Sequence, residues 1–239
     1  MIKPLREITK GTLSAVPYDL GQTGIAYNTK YISKEKAEKL GASLLWDKGL
    51  KGKLGSWGGD FRTNMWYAAL HTGQSPNNMT DLKAIWAALR EQRGLMKKYW
   101  SSGAELMSLL ANGEIYATVA WSGRVAALQQ EGNPIGYLSP KGTYSWMEYL
   151  FVLKGTDLEV AQKLLNFMLE PSAAIAVAEG QNYPPSLDPS KVKLTEKIMK
   201  MPAFDPTGKL DGYLFANPSY WNANQLEWTE KWDRIKAGS

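Results

Sequence analysis

The chain has no cysteine and a single histidine, His71. Without thiols there is no disulfide framework, no thiolate nucleophile and no cysteine metal site, although any cellular compartment stays open. One histidine does not make a zinc centre, which needs several His or Cys ligands, so His71 reads as structural. Long apolar runs are missing too. The longest, Tyr149 to Leu153 and Ala173 to Ala178, fall well short of the roughly 18 residues a membrane-spanning helix needs. Met1 to Lys10 holds no apolar core of the signal-peptide kind, so no signal peptide is expected in this chain. No G-x-S-x-G elbow, Walker A loop or G-x-G-x-x-G fingerprint occurs. Gly58-Gly59-Asp60 lacks the Lys-Ser/Thr that a phosphate cradle requires; its glycines read instead as a tight turn from a strand into a helix starting near Phe61. No catalytic residue, cofactor or metal is expected.

What is present is the composition of a folded chain, 44% hydrophobic and 21% charged over 239 residues, enough for one large domain or two lobes. The net charge of +5 does not gather into a stripe. Its densest stretches, Lys34 to Lys39 and Lys48 to Lys53, are broken by Glu35, Glu38 and glycines, so no nucleic-acid partner is expected.

Strand and helix signals alternate, which predicts an α/β architecture with helices on mostly parallel sheets. Strands are predicted at Leu13 to Val16, Thr23 to Tyr27, Gly52 to Trp57, Ile115 to Trp121 and Trp146 to Leu153. Helices are predicted over Arg62 to Thr72, Thr80 to Tyr99 and Ser122 to Gly132, the last with Ser122 as N-cap. Ala161, Leu164, Leu165 and Met168 form the i, i+3, i+4, i+7 stripe of a further helix, with Thr156 and Glu159 as its capping box. Pro171 and Gly180 bracket the next one. Tyr183 to Pro189 and Met201 to Asn217 read as loops.

Three distant segments read as walls of one aromatic and acidic cleft: Val16 to Asn28, Ala120 to Gly123, and Tyr144 to Glu148. Trp121 closes a strand, and Trp146 and Glu148 are two apart in a strand, so they share a face. Asp60 falls at a strand-to-helix junction, where open α/β folds gather ligand groups and where a helix N-cap also sits. A π-face beside a carboxylate suits an ammonium group. A charge-assisted hydrogen bond contributes about 1.5–3 kcal/mol and a cation–π contact about 0.5–2 kcal/mol. Trp86 and Trp100, read as helical, are assigned to packing.

These segments, with Trp46-Asp47, Leu50 to Lys53, Leu109, Gly113-Glu114, Pro140 to Gly142, Ala161 to Pro171, Ala178-Glu179, Asn182 to Pro184 and Trp232 to Gly238, resemble in order and spacing the spermidine/putrescine-type solute-binding proteins of ABC importers. The resemblance runs from about residue 12 to the end. It implies a type II periplasmic-binding-protein fold, in which two α/β lobes close over a polyamine, and a membrane permease as partner.

Carried over by position, the ligand-binding residues are Asp60, Thr63, Trp121, Trp146, Glu148 and Tyr183. Three positions depart from the family pattern. Thr63 replaces a second acid, Glu148 replaces a shorter Asp, and Leu20 stands where an aromatic is common, so the particular amine does not follow. The resemblance also implies that roughly the first third of the family's fold, including the signal peptide, is missing from this chain. The expected organisation is a crossover segment at 1–17, one complete lobe at 18–144, and the C-terminal part of the other lobe at 145–239. The full-length protein is expected to be periplasmic, and the short form to self-associate through an uncovered face. Other ligands consistent with the residues are an opine-like compound, an amino-acid derivative or a quaternary amine. A glycosidase using Asp60 and Glu148 is the enzymatic alternative.

Overall fold

One strand organises the molecule: β1 (Ala15–Asn28) runs for 14 residues, roughly 45 Å at the usual rise, through both halves of a seven-stranded sheet. The computed structural model describes residues 1–3 and 15–238. After β1 come α1 (Lys34–Leu40), two short 3-10 turns, β2 (Leu54–Trp57), α2 (Phe61–His71), α3 (Leu82–Arg93), β3 (Met96–Trp100) and α4 (Gly103–Ala111). The chain continues with β4 (Ala117–Trp121), α5 (Ser122–Gln130), β5 (Ile135–Leu138), β6 (Tyr144–Phe151), α6 (Leu158–Leu169) and α7 (Pro171–Gln181). It ends with α8 (Glu196–Met199), β7 (Leu214–Phe215), α9 (Pro218–Ala223) and α10 (Gln225–Ala237).

The sheet order is β3-β2-β4-β1-β6-β7, with β5 also on β1. It is a mixed sheet rather than the mostly parallel one expected. β1 is antiparallel to β4, β5 and β6, while β2 is parallel to β3 and β4, and β6 to β7. The first two predicted strands are one, and Leu13 and Ser14 lie outside the described residues. The polar, glycine-bearing stretch between them looks like a turn in isolation. β6 pairs along one edge of it, and on the other Leu20 donates to Pro184 and Ser186 to Tyr18, which keeps it extended.

The helix expected over Thr80 to Tyr99 is α3 followed by β3. Asp81 caps α3, accepting from the Ala84 amide at 2.9 Å, and Gly94 ends it, so Tyr99 and Trp100 lie in a strand beside β2. Asp157 rather than Thr156 caps α6, and Asn182 in the left-handed region (φ 62°) rather than Gly180 closes α7. Ser122 does not cap α5; its hydroxyl accepts from the Gln22 amide and ties the helix to β1.

The main core joins the sheet to α2, α3, α4 and α5, and Trp221, Trp228, Trp232 and Ile235 of α9 and α10 belong to the same core. Trp66, Trp100, Trp221, Trp228 and Trp232 are all under 2% exposed. Each such side chain contributes about 1.5–3 kcal/mol of burial or more. His71 is stacked on Trp46 at 4.2 Å and bonded to Ser43, a structural role. None of the stripe on α6 is fully buried: Ala161, Leu165 and Met168 are half-buried and Leu164 is exposed, while Leu158, Val160 and Phe167 of the same helix are more than half exposed, as are Phe151 and Leu153 beside them. The periodicity formed the helix, but among the described residues no element covers this face.

Candidate functional site

Of the ten tryptophans, seven are buried; the three that keep partial exposure, Trp57, Trp121 and Trp146, all line one cavity of about 340 Å³. The other lining residues are Thr23, Asp60, Thr63, Arg124, Tyr144, Glu148 and Tyr183. All six residues expected at a ligand site are therefore brought together, from the two walls that meet along β1.

One wall is the β2-to-α2 turn. Asp60 is the N-cap of α2 and its Oδ1 accepts from the Arg62 amide at 2.9 Å. It thus caps the helix and faces the cavity at once. Burial pushes its carboxyl pKa up, partly offset by the Arg62 amide and the Arg62 charge. Asn64 braces the turn: its amide nitrogen donates to the carbonyls of Trp57 and Asp60, and its oxygen accepts from Ser56 at 2.6 Å. Gly59 has to be glycine-like, since a β-carbon there would sit 2.3 Å from the Trp57 ring.

The strand ends β2, β3 and β4 supply a cluster of tryptophans. Trp121 meets Trp100 edge-on at 5.0 Å and Trp57 at 5.2 Å, and Trp57 meets Trp100 at 4.8 Å. Trp100 is anchored by its indole N–H to the Thr118 hydroxyl. The two exposed indoles therefore rest on a buried third, which fixes their orientation before any ligand arrives. Arg124 follows Trp121 by three residues, on the first turn of α5, and puts a permanent cation on the cavity wall.

The opposite wall is β6 with its neighbours. Trp146 packs against β1 at Gly21, donates to the Thr23 hydroxyl at 3.1 Å, and meets Tyr183 edge-on at 5.0 Å. Tyr183 comes as close to α5, where a β-carbon on Gly123 would be 2.5 Å from its ring. Its phenol pKa is pushed up to about 12, by burial first, with Arg124 opposing and Glu148 and Asp19 adding to the rise. Glu148 accepts from the Tyr18 hydroxyl at 2.5 Å. Burial chiefly, then this bond, raises the Tyr18 phenol well above its ordinary value.

Beneath Glu148 lies a group that sequence reasoning missed. Asp19 is 1% exposed, no side chain donates to either carboxylate oxygen, and it faces Glu148 across the β1–β6 pairing. Burial and then the Glu148 charge raise its pKa to about 7, with the Glu148 amide partly offsetting. Trp57 and Arg124 were missed as well, and Tyr144 stood in the predicted cleft wall without being named as a ligand residue. Trp57 closes β2 as Trp121 closes β4, so the strand-end signal was present for it; Arg124 had only its spacing from Trp121.

The chain matches the family described as bacterial extracellular solute-binding protein over residues 2–206. It is 30% identical over 231 residues to the spermidine/putrescine-binding periplasmic protein of Escherichia coli (strain K12), covering 94% of this chain and 64% of the relative's own length. It is 27% identical over 125 residues to the gamma-aminobutyric acid-binding protein of Pseudomonas aeruginosa, covering 52% of this chain and 35% of that one. The spermidine/putrescine ABC transporter substrate-binding protein from Streptococcus pneumoniae superposes with a TM-score of 0.74 at 19% identity, over 93% of this chain and 69% of that one, showing that the fold is shared. With the order of its motifs, the fold and the matched span all in agreement, this chain belongs to the bacterial extracellular solute-binding proteins.

Proposed function

We propose that the protein captures a small cationic amine, of the polyamine kind, in the cavity between the two walls and hands it to an ABC permease without chemical change. The observation that carries this reading is the convergence of every partly exposed tryptophan on a cavity that also presents Glu148 and Asp60. Indole faces suit the methylenes and the charge of an alkylammonium, and the carboxylates suit its N–H groups. One oxygen of Asp60 caps α2 and one of Glu148 holds Tyr18. Both acids are thus engaged as fixed hydrogen-bonding groups, which favours binding over the free acid and base that glycoside hydrolysis needs.

We further propose that the walls belong to two lobes divided near residue 144 and joined by β1, with α9 and α10 packed on the 18–144 core. Export to the periplasm is the localisation that suits this reading. Self-association is supported by the exposed apolar face of α6 and by Phe151 and Leu153. Light scattering of the purified chain, with Phe167→Asp as the control, tests that part.

Arg124 favours a second reading, a ligand that carries a carboxylate as well as an ammonium. A guanidinium on one wall and Glu148 on the other would hold the two ends of an ω-amino acid. Calorimetric titration with putrescine, with gamma-aminobutyric acid and with the diol of putrescine's length separates the readings. Binding of putrescine alone supports the first, and binding of gamma-aminobutyric acid alone the second.

A further inference from the structure

Asp19 has no counterpart among the residues that line the cavity, yet it is placed as their support. Pro17 pairs with Tyr149 and Asp19 with Glu148, so Tyr18 is the extra residue of a β-bulge. A bulge sets two residues against one and re-aims their side chains. Here Tyr18 and Asp19 both stand opposite Glu148: the phenol of one grips its carboxylate, and the carboxyl of the other lies under it. The far edge of β1 is sealed by Pro184 and Ser186, which removes water from Asp19 on that side. The groups facing it are Tyr18 on β1, Glu148 on β6 and Tyr183 after α7, with Gln181 bonded to Tyr18 and Arg124 on α5 acting on Tyr183. Among the described residues none of these forms an ion pair with Asp19.

An unpaired, buried carboxylate facing a second carboxylate is unfavourable if both are charged. We propose that Asp19, buried opposite Glu148, holds a proton while the cavity is empty and gives it up when an ammonium group docks on Glu148. Burial first and the Glu148 charge second keep Asp19 protonated; the incoming cation removes the second of these, and the proton leaves for solvent. Asp19 then acts through Glu148, as a positioning acid that makes capture of a cation sensitive to pH. This rests on the amine reading of the cavity.

Calorimetry of the full chain with putrescine, in two buffers of unlike ionisation enthalpy, counts the protons exchanged. The proposal expects net release of up to one proton per putrescine near pH 6, none well above 7, and an affinity that rises with pH up to about pH 7. Asp19→Asn should bind putrescine with no proton release and a flat pH profile. Putrescine binding to the wild-type chain without proton release overturns the proposal and leaves the amine reading standing. No binding by either protein overturns the amine reading and the release step together. Carbon-13 NMR of labelled aspartate in the empty protein decides the proton on Asp19 without any ligand: one carboxyl titrating near pH 7, lost in Asp19→Asn, supports it. Titration of every aspartate in the ordinary carboxylate range overturns it.

Discussion

Trp146 packs so closely on Gly21 that a β-carbon at residue 21 would come within 2.5 Å of its indole. The two are paired in register on β1 and β6, and the missing side chain of one makes room for the ring of the other. The β1 backbone therefore sets the depth of the cavity floor. Gly21→Ala should push the indole into the cavity or strain the strand pair, at a cost of about 1–3 kcal/mol. Denaturant unfolding reads the stability, and a shift in tryptophan emission reads the displaced ring.

Asp19 should make stability depend on pH in a definite sense. Its folded pKa is raised from 3.8 to about 7, so between those values the folded state holds a proton that the unfolded state has lost. Stability is therefore greatest at the acid end of that window and falls as pH rises through it. Asp19→Asn should remove this slope and stabilise the protein above pH 7, by an amount on the order of a few kcal/mol. Urea unfolding at several pH values from about 5 to 8 measures it, and identical slopes in both proteins would refute the assignment.

Arg124→Met separates the two ligand readings. If the cavity takes an ω-amino acid, the change removes the partner of a carboxylate and should weaken gamma-aminobutyric acid by about 1.5–3 kcal/mol. If it takes a diamine, losing a like charge should leave putrescine binding unchanged or tighter. Competition binding with the two compounds shows which.

Leu164 on α6 is 59% exposed, whereas Leu110 on α4 is fully buried. Leu164→Gln should change stability by no more than about 0.5 kcal/mol, and Leu110→Ala should cost about 2–5 kcal/mol. Thermal unfolding of the two variants checks the contrast.

The parts of this architecture that could be read from the sequence are those fixed by local chemistry. The helix predicted from Thr80 came within a residue of the true N-cap of α3, Pro171 marked the start of α7, and the glycines before Asp60 marked the turn into α2. Trp121 and Trp146 stood out because each sits on a strand beside a turn. What was hidden depends on partners distant in the chain. Strand direction is set by how β1 returns between β4 and β6, which alternating signals do not encode. Asp19 lies inside a strand and faces Glu148 only through the bulge at Tyr18; a shift of one residue turns a side chain to the other face. The stripe on α6 illustrates the converse case, a local pattern that predicted burial and reaches it only in part.

The central claim is that Glu148 and the exposed tryptophans hold an organic ammonium group. The most direct test is titration of the wild-type and Glu148→Gln proteins with putrescine and with the diol of the same length. The account predicts saturable binding of putrescine, weakened by about 1.5–3 kcal/mol in Glu148→Gln, and little or no binding of the diol. Equal affinity for diamine and diol, or a Glu148→Gln protein that binds putrescine as tightly as the wild type, would contradict it.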